Sequence, residues 1–164
     1  MKKRTVFYVV RHGQTEFNLK GIIAGIFEPN PLSSKGKRQA AILAKKIEHI
    51  SFDKIYSSNL SRAKKTAEIL AAGRNLSVEV DTLLNERNWG SLQGKSFEEA
   101  QKKYPKVFSD EAKIEGETAL NFKYVTDMES LKETTNRFKQ FLNKVIATQR
   151  GKTILVVCHF DIMI

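Results

Sequence analysis

The chain has 164 residues, a length that one domain fills and that buries roughly two-thirds of its unfolded surface. No stretch reaches the ~20 consecutive apolar residues of a membrane helix, and one cysteine cannot form an internal disulfide, so neither a helical span nor a disulfide scaffold is expected. The formal charge of +10 suits a polyanion partner, yet Lys45–Lys46, Lys64–Lys65 and Lys102–Lys103 alternate with Glu48, Glu68, Glu98 and Glu99, the pattern of solvated helix faces with a general bias toward small anions.

In chain order, Thr5–Val10 reads as a buried strand whose apolar run Val6–Val10 delivers Arg11, His12 and Gly13 at its end. Gly13 lets the backbone approach a ligand closely there. Ser34–Ile50 has helical spacing at Ala40, Leu43, Ile47 and Ile50, with Ser33 or Ser34 as its cap. Phe52–Tyr56 is a short strand, Leu60–Ala72 a helix ended by Gly73, and Leu76–Val80 another strand. Lys95–Lys103 is a helix stopped by Pro105, and Glu129–Gln149 one stopped by Gly151. From Pro105 to Asp127 the pattern thins. Thr153–Val157 is a fourth strand, ending in Cys158 and His159.

This alternation predicts an α/β domain with a mostly parallel sheet. Ligands of such sheets bind outside the carboxyl ends of the strands, where two of the three histidines fall. A two-histidine phosphoryl-transfer site needs that arrangement. The start MKKRTVFYVV is too short in apolar residues for a signal peptide and runs directly into the first strand, so a cytoplasmic location is expected.

RHGQTEFN, from Arg11 to Asn18, resembles the RHGxT motif of the histidine phosphatase superfamily, the phosphoglycerate mutase-like proteins. Further blocks follow in register. Pro29–Ala40 is similar to DxPLTxxGxxQA with Asn30 for the aspartate, and Ser57–Glu68 to SSDLxRAxQTAE, carrying Arg62. Leu83–Gly94 is similar to LxExxxGxWEG with its glutamate at Glu86, Met128–Phe138 to the GESxxDVxxR helix start, and VVCHF stands where VVSHG is expected. The resemblance implies a three-layer sandwich with the sheet flanked by helices, one domain over 1–164, and a pocket-covering segment over 95–128.

It also implies a chemistry. His12 is the nucleophile, forming a phosphohistidine, with one ring nitrogen fixed by donation to a carbonyl. Arg11 and Arg62 clamp the phosphoryl oxygens, Asn18 adds an uncharged donor, and His159 donates as charge develops. Glu86, raised by a partly desolvated pocket, is the acid and then the base. No metal or other cofactor is called for. The partner is a small phosphorylated substrate, with no nucleic acid and no membrane, and homo-oligomerisation stays open. Cys158 and His159 should face opposite sides of their strand, so Cys158 reads as packing and not as a nucleophile. His49 receives no role, while Glu129 and Ser130 read as a second layer around the site or a helix cap.

Phe160 replaces the glycine after the second histidine, and Leu92 and Gln93 replace the tryptophan and glutamate of WEG. Family members usually continue past that histidine with a helix and a strand, so this chain is expected to be C-terminally shortened, leaving the apolar residues of DIMI without cover. The expected activity is metal-independent hydrolysis of a phosphomonoester. The alternatives are mutase-type phosphoryl transfer, a phosphate-binding module without turnover, and, last, a polyanion binder relying on charge alone.

Overall fold

A computed structural model describes residues 4–111 and 114–163. The readings that involve Met1–Lys3 and Ile164 lie outside the described residues. Four strands, β1 (Val6–Arg11), β2 (Lys54–Ser57), β3 (Val78–Val80) and β4 (Thr153–Cys158), form one parallel sheet in the order β1-β4-β2-β3. β4 is central and buried on both faces, which is why its sequence is a continuous apolar run. Its alternate residues feed two cores. Leu155 and Val157 pack with Ile55, Ala63, Ala67 and Leu70 on one face, and Ile154, Val156 and Cys158 with Tyr56, Phe141 and Val145 on the other.

The first core is closed by α2 (Ser34–Lys46) and α3 (Ser61–Ala71), where the small residues Ala63 and Ala67 let α3 lie close to the sheet. The second is closed by α7 (Leu131–Thr148). A short helix, α1 (Glu16–Leu19), follows β1, and α4 (Phe97–Lys103), α5 (Pro105–Glu111) and α6 (Gly116–Asn121) occupy the segment before α7. The three expected layers are present, and the described residues contain no helix long and apolar enough to cross a membrane.

The departures have local causes. α2 stops at Lys46 and not Ile50, because the Arg74 guanidinium takes the carbonyls of Ile47 and Ile50 at 2.7 Å each. α4 ends at Lys103 ahead of Pro105, as expected, but it starts at Phe97 and not Lys95 because Ser96 caps it, and Pro105 also opens α5, since at a first helical position its missing N–H is of no consequence. α7 begins at Leu131, with Ser130 and Glu133 exchanging capping-box hydrogen bonds, so Glu129 lies outside it. The expectation that DIMI lacks cover fails at Ile162, which is buried against the α7 side of the sheet, although Met163 is exposed.

Candidate active site

Register brings the site together. Arg11 pairs with Cys158 and Ser57 with Val157, so β1, β4 and β2 end level, and the His12 N–H donates to the Cys158 carbonyl at 3.1 Å. The rings of His12 and His159 therefore lie 5.1 Å apart, centre to centre. Gly13 also makes a close contact within the fold: a Cβ there would sit 2.5 Å from the Gly36 carbonyl oxygen, so the residue lets the loop lie against α2. The Gly13 N–H also donates to Thr66 Oγ1 on α3 at 3.1 Å, fixing the loop from below.

His12 is buried and its Nδ1 lies 2.7 Å from the Gly13 carbonyl. A carbonyl only accepts, so Nδ1 carries the proton and Nε2 keeps its lone pair. Burial, then the charge of Arg62 and that of Arg11, push the imidazole down to about 3, and the ring is neutral throughout the physiological range. His159 is also held well below its ordinary value, first by burial and then by Arg62. Its Nε2 is 2.8 Å from Ser58 Oγ, whereas its buried Nδ1 has no protein partner.

Arg62 is only 1% exposed, an unusual position for a guanidinium. Its Nη2 donates to the Gly25 carbonyl and its Nη1 reaches Glu28 at 3.5 Å, which leaves a buried Nε with no partner in the protein. Arg11, exposed, lies over the Phe160 ring at 5.1 Å. Asn18 combines its two readings: Oδ1 accepts from Thr15 to cap α1, while the residue lines the recess beside His12.

Glu86 follows the short 3₁₀ turn Thr82–Leu84 and is buried. Its carboxylate accepts from the backbone N–H of Arg87 at 3.0 Å, Phe160 at 3.1 Å and Asp161 at 3.3 Å. Burial above all, then the neighbouring charge of Asp161, raise it to about 7 against those hydrogen bonds and Arg62. A carboxyl with that value can release and recover a proton near neutrality. Cys158 faces away from this group, with its thiol pushed up to about 12 by burial.

His12, Arg11, Asn18, Arg62 and Glu86 line one recess of about 130 Å³. A hollow of about 300 Å³ shares Arg11, His12 and Asn18 and adds Gln14 and Gln39. Buried His159 does not line the recess but stacks obliquely on His12. Among the described residues, no group of three or more His, Cys, Asp or Glu could hold a metal ion.

Sequence reading overlooked several supports. Ser58 was visible in the SSNLSRA block, which drew attention only for its arginine. Glu28, which holds Arg62 and accepts from Ser61, had no local signal. Arg137 was visible in the Met128–Phe138 block. It donates to the carbonyls of Leu83 at 2.8 Å and Asn85 at 3.0 Å and forks onto Glu129 at 2.8 and 2.9 Å, while Glu129 Oε2 accepts from the Asn88 N–H at 3.2 Å. The loop carrying Glu86 is thus clamped to the start of α7.

Comparison with known proteins agrees with this geometry. A family model described as the histidine phosphatase superfamily (branch 1) matches residues 7–163. Phosphoserine phosphatase 1 of Hydrogenobacter thermophilus is 35% identical over 151 residues, covering 92% of this chain and 69% of that protein. Among solved structures, Bacillus stearothermophilus YhfR superposes with a TM-score of 0.84 at 26% identity, over 97% of this chain and 76% of the other. A phosphoserine phosphatase from Entamoeba histolytica, solved with 3-phosphoglyceric acid, gives 0.78 at 31% identity, over 97% and 76%. With its fold, its paired histidines and these relatives in agreement, the chain belongs to the histidine phosphatase superfamily and is an enzyme of its phosphatase type.

Proposed function

We propose that this protein hydrolyses a small phosphorylated metabolite through a phosphohistidine on His12, without a metal. The observation that carries the reading is the buried, neutral His12, proton fixed on Nδ1 by the Gly13 carbonyl, between two arginines and in the same recess as a carboxyl raised to about 7. Nε2 attacks phosphorus, the ester P–O bond breaks, and the leaving oxygen takes the proton of Glu86. Arg11, the free Nε of Arg62 and Asn18 hold the equatorial oxygens. If Ser58 O–H donates into Nε2 of His159, Nδ1–H is left as a further donor toward the phosphoryl group. In the second half, Glu86 takes a proton from water, the hydroxide attacks phosphorus, and the P–N bond breaks to release phosphate and restore His12.

The whole of 1–164 is read as one domain with 95–128 shaping access. Phe97 in the recess, and Lys123 and Asp127 in a groove of about 700 Å³ that shares Glu86, support that assignment. A cytoplasmic location is supported by the lone unpaired cysteine, as suits a reducing compartment. A phosphate-binding module without turnover is the second reading, favoured by the Phe160 ring against Arg11. Hydrolysis of p-nitrophenyl phosphate in EDTA separates the two. Activity lost in His12→Ala is expected; a folded parent that binds phosphate but releases no product sinks the hydrolytic reading.

A further inference from the structure

The recess has two ends of unlike chemistry. At one are Arg11, His12 and Arg62; at the other are Ile22, Trp89, Phe97 and Phe160. Phe97 and Phe160 are 50% and 51% exposed, large apolar rings left half in water at the edge of a polar site. Their placement is fixed: Trp89 meets Phe97 edge-on at 5.9 Å, and the Arg11 guanidinium covers one face of Phe160.

Asp161 lines this same end, held by the Trp89 indole N–H at 3.2 Å. With Glu86 it places two carboxyl groups in the recess beside the two arginines that line it, Arg62 and Arg11, the latter lying over Phe160. Burial raises the Asp161 carboxyl above its ordinary value, against the opposing charges of Arg87 and Arg11; Arg87 lies outside the lining, over the Trp89 ring, donating to the carbonyls of Glu129 and Phe122. A carboxylate on the leaving group would therefore meet Asp161 while Arg11 and Arg62 are engaged by the phosphoryl oxygens.

We propose that this site, on the phosphatase reading above, selects phosphomonoesters whose leaving group is uncharged with an apolar or aromatic face, and rejects those bearing a carboxylate. Phe160 is the platform for the leaving group and Asp161 the repelling charge.

The test measures kcat/KM at pH 7 for benzyl phosphate, glycerol 3-phosphate and 3-phosphoglycerate. The last two differ only in a primary alcohol against a carboxylate. 3-Phosphoglycerate should be poorer than glycerol 3-phosphate by about tenfold, and Asp161→Asn, which keeps an acceptor for Trp89, should bring the two within about threefold. Phe160→Ala should lower benzyl phosphate about fivefold relative to glycerol 3-phosphate. Equal use of the matched pair by the parent, or a ratio untouched by Asp161→Asn, overturns the proposal while leaving hydrolysis intact. If no ester is hydrolysed, the phosphatase reading fails separately. Calorimetric Kd values for the three esters then decide the selectivity: the same order supports it, and an equal or inverted order, or no binding, overturns it.

Discussion

Replacing Arg137 by alanine removes the fork that ties the Glu86 loop to α7. The side chain is 21% exposed and its partner Glu129 17%, so truncation strands a largely buried carboxylate. Breaking such a pair from one side costs about 3–5 kcal/mol, and the residual exposure puts this case near the lower end. For a domain of this size about 3 kcal/mol lowers Tm by roughly 6–12 °C, readable by calorimetry. Burial alone would raise Glu129, but the hydrogen bond and charge of Arg137 outweigh it and hold the carboxyl below its ordinary 4.5. A depressed carboxyl stabilises the fold above its unfolded pKa and loses that contribution as pH falls through the folded one. The Tm gap between parent and Arg137→Ala should therefore narrow from pH 7 toward pH 3. Because Glu86 loses its support, kcat should also fall, by about tenfold, and Arg137→Lys should restore part of Tm through charge without restoring both carbonyl contacts. A Tm within 2 °C of the parent, with a gap that does not change with pH, refutes the reasoning.

Four further outcomes follow from the same geometry. With Glu86 raised to about 7, hydrolysis of an alkyl ester should decline above that pH as the acid deprotonates, and Glu86→Gln should be slower by about 10²–10⁴-fold without that limb. The raised carboxyl also makes stability fall as pH rises from 4.5 to about 7, so Glu86→Gln should gain in Tm over the parent at pH 8 relative to pH 5. Ser58→Ala orphans Nε2 of buried His159, which should cost about 1–3 kcal/mol in urea melts and lower kcat while KM changes little. Gly36→Ala would put a Cβ 2.1 Å from the Gln14 carbonyl oxygen, a backbone clash worth about 1–3 kcal/mol in the urea midpoint and a displaced His12 loop.

Sequence carried the elements whose signals are local. Thr153–Val157 read as a strand because its run is apolar on both faces, and of the cap candidates Ser33 or Ser34 and Ser130, Ser33 and Ser130 form caps. The residues of the recess were legible because strand ends bring His12 and His159 together and family blocks marked Arg62 and Glu86. Illegible were contacts set by tertiary approach. Gly13 lies against Gly36, Arg74 shortens α2 from 24 residues beyond Ile50, and Arg137 reaches carbonyls more than 50 residues away. Periodicity reports which face of an element is apolar; it does not report which carbonyls a distant guanidinium will find. Asp161 and Phe160 were visible as letters, but only the fold showed that they line the same recess as His12 and Arg62.

The strand order also governs how the molecule is made. β4 lies between β1 and β2, yet its residues are synthesised more than 90 positions after β2, and the register joins Val6 to Thr153. During biosynthesis β1 has no neighbour, and β2 can pair only with β3, until β4 emerges. Both then close over long loops, which slows folding and leaves unpaired edges in water meanwhile. The two histidines meet only in that insertion, so the histidine pair and the four-stranded sheet come into being in one event.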